Sequence, residues 1–191
     1  MGDIEQKNSY FEGQILIAMP TMSDPRFQKS VILLCAHTSD GAMGIVLNKN
    51  IDIISFRELL GQLDLTPNSK GQKTSIHFGG PVETERGFVL HSTDLMHDST
   101  MMIGDGIALT ATVDMLKTMA VGEGPNSSFL ALGYSGWGPG QLEDEIQDNG
   151  WLIVDADPDL VFGEKLDLKW TKAIQKLGID PNFLSSEVGH A

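Results

Sequence analysis

The sequence predicts one α+β domain over residues 1–191, with a mostly antiparallel, hairpin-built sheet and about four helices around it. Three observations carry this. Apolar runs of three to six residues recur along the chain, and tight turns join several of them. Asp40-Gly41 and Gly104-Asp105-Gly106 each sit between such runs, the strongest short-range signal for a hairpin. No repeat, low-complexity tract or linker divides the chain, and hydrophobic residues make up 41% of it, enough for one core.

The elements follow in order. Residues 1–13 are polar and read as a loose N-terminal arm. Residues 14–19 form a first strand that Pro20 ends, and 22–29 a polar loop. Residues 31–36 and 43–47 flank Asp40-Gly41; neither run alternates polar with apolar, so both strands are expected in mid-sheet, covered on both faces. Ser55-Phe56-Arg57-Glu58 is a capping box that opens a helix to about residue 63, with Ile54 and Leu59 as its staple. Residues 75–78 and 87–91 read as a second hairpin turned by Gly79-Gly80-Pro81. Residues 101–103 and 107–109 make the third.

A helix over 113–120 places Val113, Leu116 and Ala120 inward beside Met115 and Met119, and Gly122 stops it. Residues 129–132 form a strand that runs into Leu132-Gly133-Tyr134-Ser135-Gly136-Trp137-Gly138-Pro139-Gly140-Gln141-Leu142-Glu143, read as a glycine-rich loop with an exposed tryptophan before a polar helix. Asn149-Gly150 ends that helix and 151–154 is a strand. Residues 160–162 suggest a last short strand. A final helix carries Leu166, Trp170, Ala173, Ile174 and Leu177 on one face, and 179–191 is a C-terminal tail.

Composition limits the function. The 26 Asp and Glu against 13 Lys and Arg give a net charge of −13, which repels nucleic acid and anionic membranes. Cys35 is the only cysteine and sits in an apolar run, so it reads as a buried hydrophobe; neither an intramolecular disulfide nor a cysteine-based metal site can form. No apolar run nears the roughly 20 residues of a membrane span. Met1-Gly2-Asp3-Ile4-Glu5-Gln6 is no signal peptide, and the expected location is the cytoplasm.

The glycine-rich stretch leaves three readings. As a nucleophile elbow it has Ser135 between strand and helix, but Trp137 stands where the motif needs glycine. As an anion cradle it lacks the following Lys, Ser or Thr, and Glu143, Asp144 and Glu145 would repel a phosphate. As architecture it needs nothing more, and that reading is preferred. His37, His77, His91, His97 and His190 show no metal-ligand spacing, so no metal or cofactor is expected. Arg86 beside Gly79 and Gly80 offers an anion contact, against which a surface pair with Glu83 is favoured. Lys165, Lys169, Lys172 and Lys176 fall in one helical stripe, a weak nucleic-acid candidate better explained as a solvated flank.

Read together, Gly41-Ala42-Met43-Gly44 with Leu47-Asn48-Lys49, Phe78-Gly79-Gly80-Pro81-Val82, Arg86-Gly87-Phe88-Val89-Leu90-His91, and Leu132-Gly133-Tyr134-Ser135-Gly136-Trp137 with Gly140-Gln141-Leu142-Glu143 resemble the YqgE/AlgH family of small bacterial proteins. The likeness runs from Leu16-Ile17-Ala18-Met19-Pro20 to Gly189-His190-Ala191. Ala36, Asn50 and Ser135 stand where the family pattern has Glu, Pro and Ala, which weakens an acid role beside His37 and a nucleophile at Ser135. The resemblance implies a sheet that bifurcates into a pseudo-barrel, a transcriptional-regulator label, and no transferable catalytic residue. The expected function is therefore non-catalytic binding of a protein partner or small ligand, with His37, Asn48, Gly79, Gly80, Arg86, Ser135 and Trp137 as candidate site residues. The alternatives are a direct DNA-binding regulator using the lysine stripe and a hydrolase or acyl-transfer enzyme using Ser135.

Overall fold

The computed structural model describes residues 10–71, 73–163 and 165–184. Its strands are β1 (Gln14–Ala18), β2 (Val31–Thr38), β3 (Gly41–Val46), β4 (Ile76–Phe78), β5 (Val82–His91), β6 (Met101–Gly104), β7 (Ile107–Thr110), β8 (Ser128–Trp137) and β9 (Trp151–Asp155). Its helices are α1 (Phe56–Gln62), α2 (Val113–Ala120), α3 (Gln141–Gln147), α4 (Pro158–Phe162) and α5 (Lys169–Lys176), with 3-10 turns at Leu166–Leu168 and Pro181–Phe183. The strands form one sheet in the order β6-β7-β5-β8-β3-β2-β1-β9, with β4 paired to β8 off that path. The Asp40-Gly41 and Gly104-Asp105-Gly106 hairpins form as predicted.

β8 is where the sheet divides. Along one edge it pairs with β5. Along the other it pairs first with β4, in parallel, through Leu130 to Leu132, and then with β3, antiparallel, through Ser135 to Trp137. The Gly79-Gly80 segment leaving β4 fills the crotch: Gly79 N–H donates to the Leu132 carbonyl at 2.8 Å, and Val46 N–H donates to the Gly79 carbonyl at 2.9 Å. Gly133, in the left-handed region at φ 74°, flips the strand's alternation there. Before it, Phe129 and Ala131 face the central core; after it, Tyr134 takes that side and Trp137 turns to the opposite face.

Apolar burial follows this division. A central cluster is shared by both halves of the sheet and includes Ile15, Leu33, Ile45, Leu90, Ile107 and Phe129, closed by Leu160 and Val161 of α4 and Trp170, Ala173 and Ile174 of α5. Behind the β4-β5-β8 half, α1 and α2 pack Phe56, Leu60, Met115 and Met119 on Ile76, Val89 and Leu130. Behind the β1-β2-β3-β9 half, α3 packs Leu142 on Leu16, Ile32, Leu34, Val46, Trp137 and Trp151. Strands β1, β2 and β3 thus contribute side chains to both faces, as the unbroken apolar runs required.

Several expectations are corrected. Residues 75–78 and 87–91 do not pair with each other, because β8 lies between them. Residues 160–162 are helical, since Asp157 caps the Leu160 amide and Pro158 opens the first turn. Most of the supposed glycine-rich loop is strand β8; only residues 138–140 connect it to α3. Val113 points to solvent. The described end of the N-terminal arm is tied down, with Gly13 N–H on the Leu34 carbonyl; its residues 1–9 lie outside the described residues. In the tail, Ile179 and Leu184 pack on the central cluster, and residues 185–191 lie outside the described residues.

The capping box is present: Ser55 Oγ accepts from Glu58 N–H, and the Glu58 carboxylate accepts from Ser55 N–H at 2.7 Å. Ser55→Ala is expected to lower the unfolding free energy by about 1 kcal/mol, read as a lower urea midpoint with an unchanged slope.

Candidate functional site

Two backbone irregularities bring the notable side chains onto the α3 side of the sheet. The β2–β3 register slips between Leu34 and Ala36, so Cys35 is an extra residue and His37 turns away from the central core. The flip at Gly133 does the same for Trp137. His37 pairs with Ala42, which pairs with Trp137, so the two are neighbours but one across adjacent strands.

Helix α3 holds both from above. Glu143 Oε1 lies 2.8 Å from His37 Nε2. His37 Nδ1 accepts from Phe11 N–H at 3.0 Å, which fixes the tautomer: Nε2 carries the proton and donates it to Glu143. The Phe11 ring stacks on the imidazole and Tyr10 meets its edge. Glu145 Oε2 accepts from Trp137 Nε1 at 2.9 Å and from Trp151 Nε1 at 2.8 Å, while Oε1 accepts from Gln141 Nε2 at 2.9 Å. The indoles meet edge to face at 6.0 Å, and Phe27 packs on Trp151 in the same manner. One carboxylate therefore fixes two indoles that are 7% and 3% exposed.

These indoles form a wall of an open cleft of about 570 Å³. Its other sides are Pro81 and Val82 where β5 begins, residues 21–24, 26 and 27 of the β1–β2 loop, and Gln141 and Asp148 at the two ends of α3. The ionised lining is Asp24, Glu145 and Asp148 against Arg26. Arg26 is already committed to Asp24, with contacts as short as 2.7 Å, and this pairing holds the Asp24 carboxyl below the usual carboxylate range.

The remaining predicted residues fall elsewhere. Gly79, Gly80 and Ser135 do meet, but as buried backbone packing at the crotch of the sheet. Ser135 is fully buried and its Oγ faces the Gly79 carbonyl at 3.4 Å, with no histidine beside it among the described residues. That removes it as a nucleophile, since no substrate carbonyl and no base can reach it. Asn48 braces the turn before β2, accepting from Val31 N–H and donating to the Lys29 carbonyl. Arg86 lies exposed over the Phe88 ring, 3.5 Å from Glu83, the surface pair favoured above.

The lysine stripe is broken. Lys169 is 2% exposed and donates to the Leu160 and Val161 carbonyls; Lys165, Lys172 and Lys176 stay exposed, with the Lys176 ammonium bound to Asp157 and the Asp155 carbonyl. Cys35 is buried, and burial pushes its thiol up to about 12. Among the described residues, no cluster of three metal-ligating groups occurs and no helix is long and apolar enough to cross a membrane.

Two other histidines are buried. His91 has Nδ1 on the Ser92 carbonyl and Nε2 on Thr110 Oγ1, and burial lowers its pKa. His77 stacks on Phe129 at 4.1 Å, with Nε2 on Ser75 Oγ at 2.9 Å. Burial, then the charge of Lys169, pushes His77 down to about 4. Its Nδ1 feels the Leu47 carbonyl, which favours the charged ring, but without the geometry of a hydrogen bond. A depressed histidine contributes stability above the unfolded pKa of 6.5 and loses it as pH falls towards 4, because the unfolded chain takes up the proton first. Wild type should therefore lose about 3 kcal/mol more than His77→Gln between these limits, by urea unfolding at each pH.

A family model described as DUF179, AlgH-like, matches residues 15–182. A UPF0301 protein of Rhodopseudomonas palustris strain HaA2 is 56% identical over 198 aligned positions, covering 100% of this chain and 90% of the relative. A UPF0301 protein of Nitrobacter hamburgensis is 54% identical, covering 96% and 88%. Among solved structures, the solution structure of the AlgH protein from Pseudomonas aeruginosa superposes with a TM-score of 0.78 at 39% identity over the full length of both chains. The crystal structure of a Corynebacterium diphtheriae protein shares the fold, with a TM-score of 0.71 at 19% identity over 87% of this chain and 86% of that one.

Proposed function

The chain belongs to the AlgH-like family, and from that premise we propose that it is a non-catalytic, cytoplasmic binding protein whose recognition site is the cleft walled by Trp137 and Trp151. The observation that supports this is the Glu145 carboxylate holding both indoles in place beside that open cleft. The wall is pre-organised, so binding costs little ordering of side chains. The cleft also joins the ends of the two segments singled out in the sequence, Pro81-Val82 and Gly136-Trp137.

The chemistry of the occupant follows from the lining. Three carboxylates face one arginine that is already paired, so the field favours a cation. Indole and phenyl surfaces favour a flat or aliphatic body attached to it. The ligand class is an organic cation with an apolar stem, as a small amine or as a lysine or arginine side chain of a partner protein. A regulatory role then acts through this binding and not through DNA, because the lysine stripe is dismantled by Lys169 and Lys176.

Calorimetric titration with phenethylamine tests this, with phenylacetate as the ring of opposite charge. The amine is expected to bind saturably and the acid not at all. Asp148→Asn, on the exposed rim, should weaken the amine about fivefold. Equal binding of both compounds, or binding of neither, would contradict the assignment.

A further inference from the structure

A second cavity, of about 500 Å³, opens on the other side of the molecule between β4 and α4. It is lined by Asn50, Lys73, Ser75, His77, Asn126 and Ser128, with Phe129 and Phe162 as its apolar wall. Among the described residues that line it there is no carboxylate, in a chain where acids outnumber bases two to one.

Lys169 stands behind this wall. A Cβ on Gly163, which lines the cavity, would lie 3.9 Å from Lys169 Nζ. Carbonyls of α4 solvate the ammonium, and among the described residues no carboxylate neutralises it. Burial of a cation is costly, and this one also faces His77, whose protonation it opposes. Burial likewise pushes Lys169 itself down to about 8. A negative group placed in the cavity would lie beside this ammonium.

We propose that the cavity between β4 and α4 binds a small aromatic anion, a flat ring carrying a phosphate or carboxylate. The apolar wall made by Phe129 and Phe162, which meet edge to face at 6.3 Å, and by the neutral His77 stacked on Phe129 receives the ring. Lys73, Ser75, Asn126 and Ser128 receive the anionic head, and the Lys169 field draws it in. The Ser75–His77 pair acts here in binding and not as a nucleophile. A ring with its pKa near 4 and no carboxylate on Nδ1 takes a proton too weakly to activate the hydroxyl.

The test is a titration of the full chain with phenyl phosphate and with benzoate, followed by NMR at the His77 and Phe129 ring resonances. Benzyl alcohol serves as the uncharged ring and inorganic phosphate as the ringless anion. One of the two aromatic anions is expected to give saturable shifts at both residues, and the apparent His77 pKa should rise by about one unit in the complex. Lys73→Ala, an exposed change that should leave the melting temperature in place, is expected to weaken binding about tenfold. The proposal is overturned if neither aromatic anion saturates by roughly 10 mM, if benzyl alcohol or inorganic phosphate binds as well as they do, or if Lys73→Ala binds unchanged.

Discussion

Gly80→Ala is expected to destabilise the fold by about 4 kcal/mol or more, enough to leave little folded protein at 37 °C. Gly80 has φ 154° and runs along the backbone of β8 at the crotch of the sheet. A Cβ built there lies 2.1 Å from the Tyr134 carbonyl carbon and 2.3 Å from the Ser135 nitrogen. These are backbone atoms held in ladder hydrogen bonds, so they cannot turn aside as a side-chain tip would. Relief requires opening the β3–β8 pairing, or moving Gly79 off the Val46 and Leu132 hydrogen bonds. The strain and the overpacking each cost on the order of 1–3 kcal/mol and act together. Gly104→Ala is the control: no atom lies within 4 Å of its Cβ, and its melting temperature should barely move. Thermal unfolding by circular dichroism compares the two. A Gly80→Ala protein that melts like wild type would mean that the segment does not wedge the fork.

Glu145→Ala is expected to cost about 3 kcal/mol and to abolish amine binding in the Trp137–Trp151 cleft. The substitution leaves two buried indole N–H groups without their acceptor, and each such loss is worth about 1–3 kcal/mol. Glu145→Gln should cost less. Its carbonyl oxygen can keep the two indoles, while its amide then faces the Gln141 amide, donor against donor. The ordering wild type, Gln, Ala in urea midpoints separates the hydrogen-bonding role from a charge effect. Were Ala and Gln equal, the carboxylate would be acting through its charge alone.

Local chemistry was legible in the sequence. Asp40-Gly41 turns a hairpin because the required backbone conformation is set by two residues, and Ser55 with Glu58 opens α1 because both partners of the cap lie within one turn. Long-range pairing was not legible. Ile76 joins Leu130 in parallel, and nothing near either residue announces it. The faces of His37 and Trp137 were hidden for a sharper reason. Strand alternation is counted by parity, and the extra residue at Cys35 and the left-handed Gly133 each reverse the count. Trp137 looks exposed in the sequence because its glycine-rich strand has the composition of a loop. In the sequence Glu145 stands out only as one of three charges that repel a phosphate, yet a carboxylate between two tryptophans is a signal, since buried indoles need an acceptor. Lys169 has the charge of a surface residue, although Ala173, one turn on, faces the core with it.

Recognition of a cation by the Trp137–Trp151 cleft can be read at the indoles themselves. The most direct measurement follows the three indole N–H resonances while phenethylamine is added. Trp170 is an internal control, because its Nε1 donates to the Ala18 carbonyl inside the central core. The Trp137 and Trp151 signals are expected to move together and saturate while Trp170 stays fixed. Three signals that shift alike, or a Trp170 signal that moves alone, would contradict it.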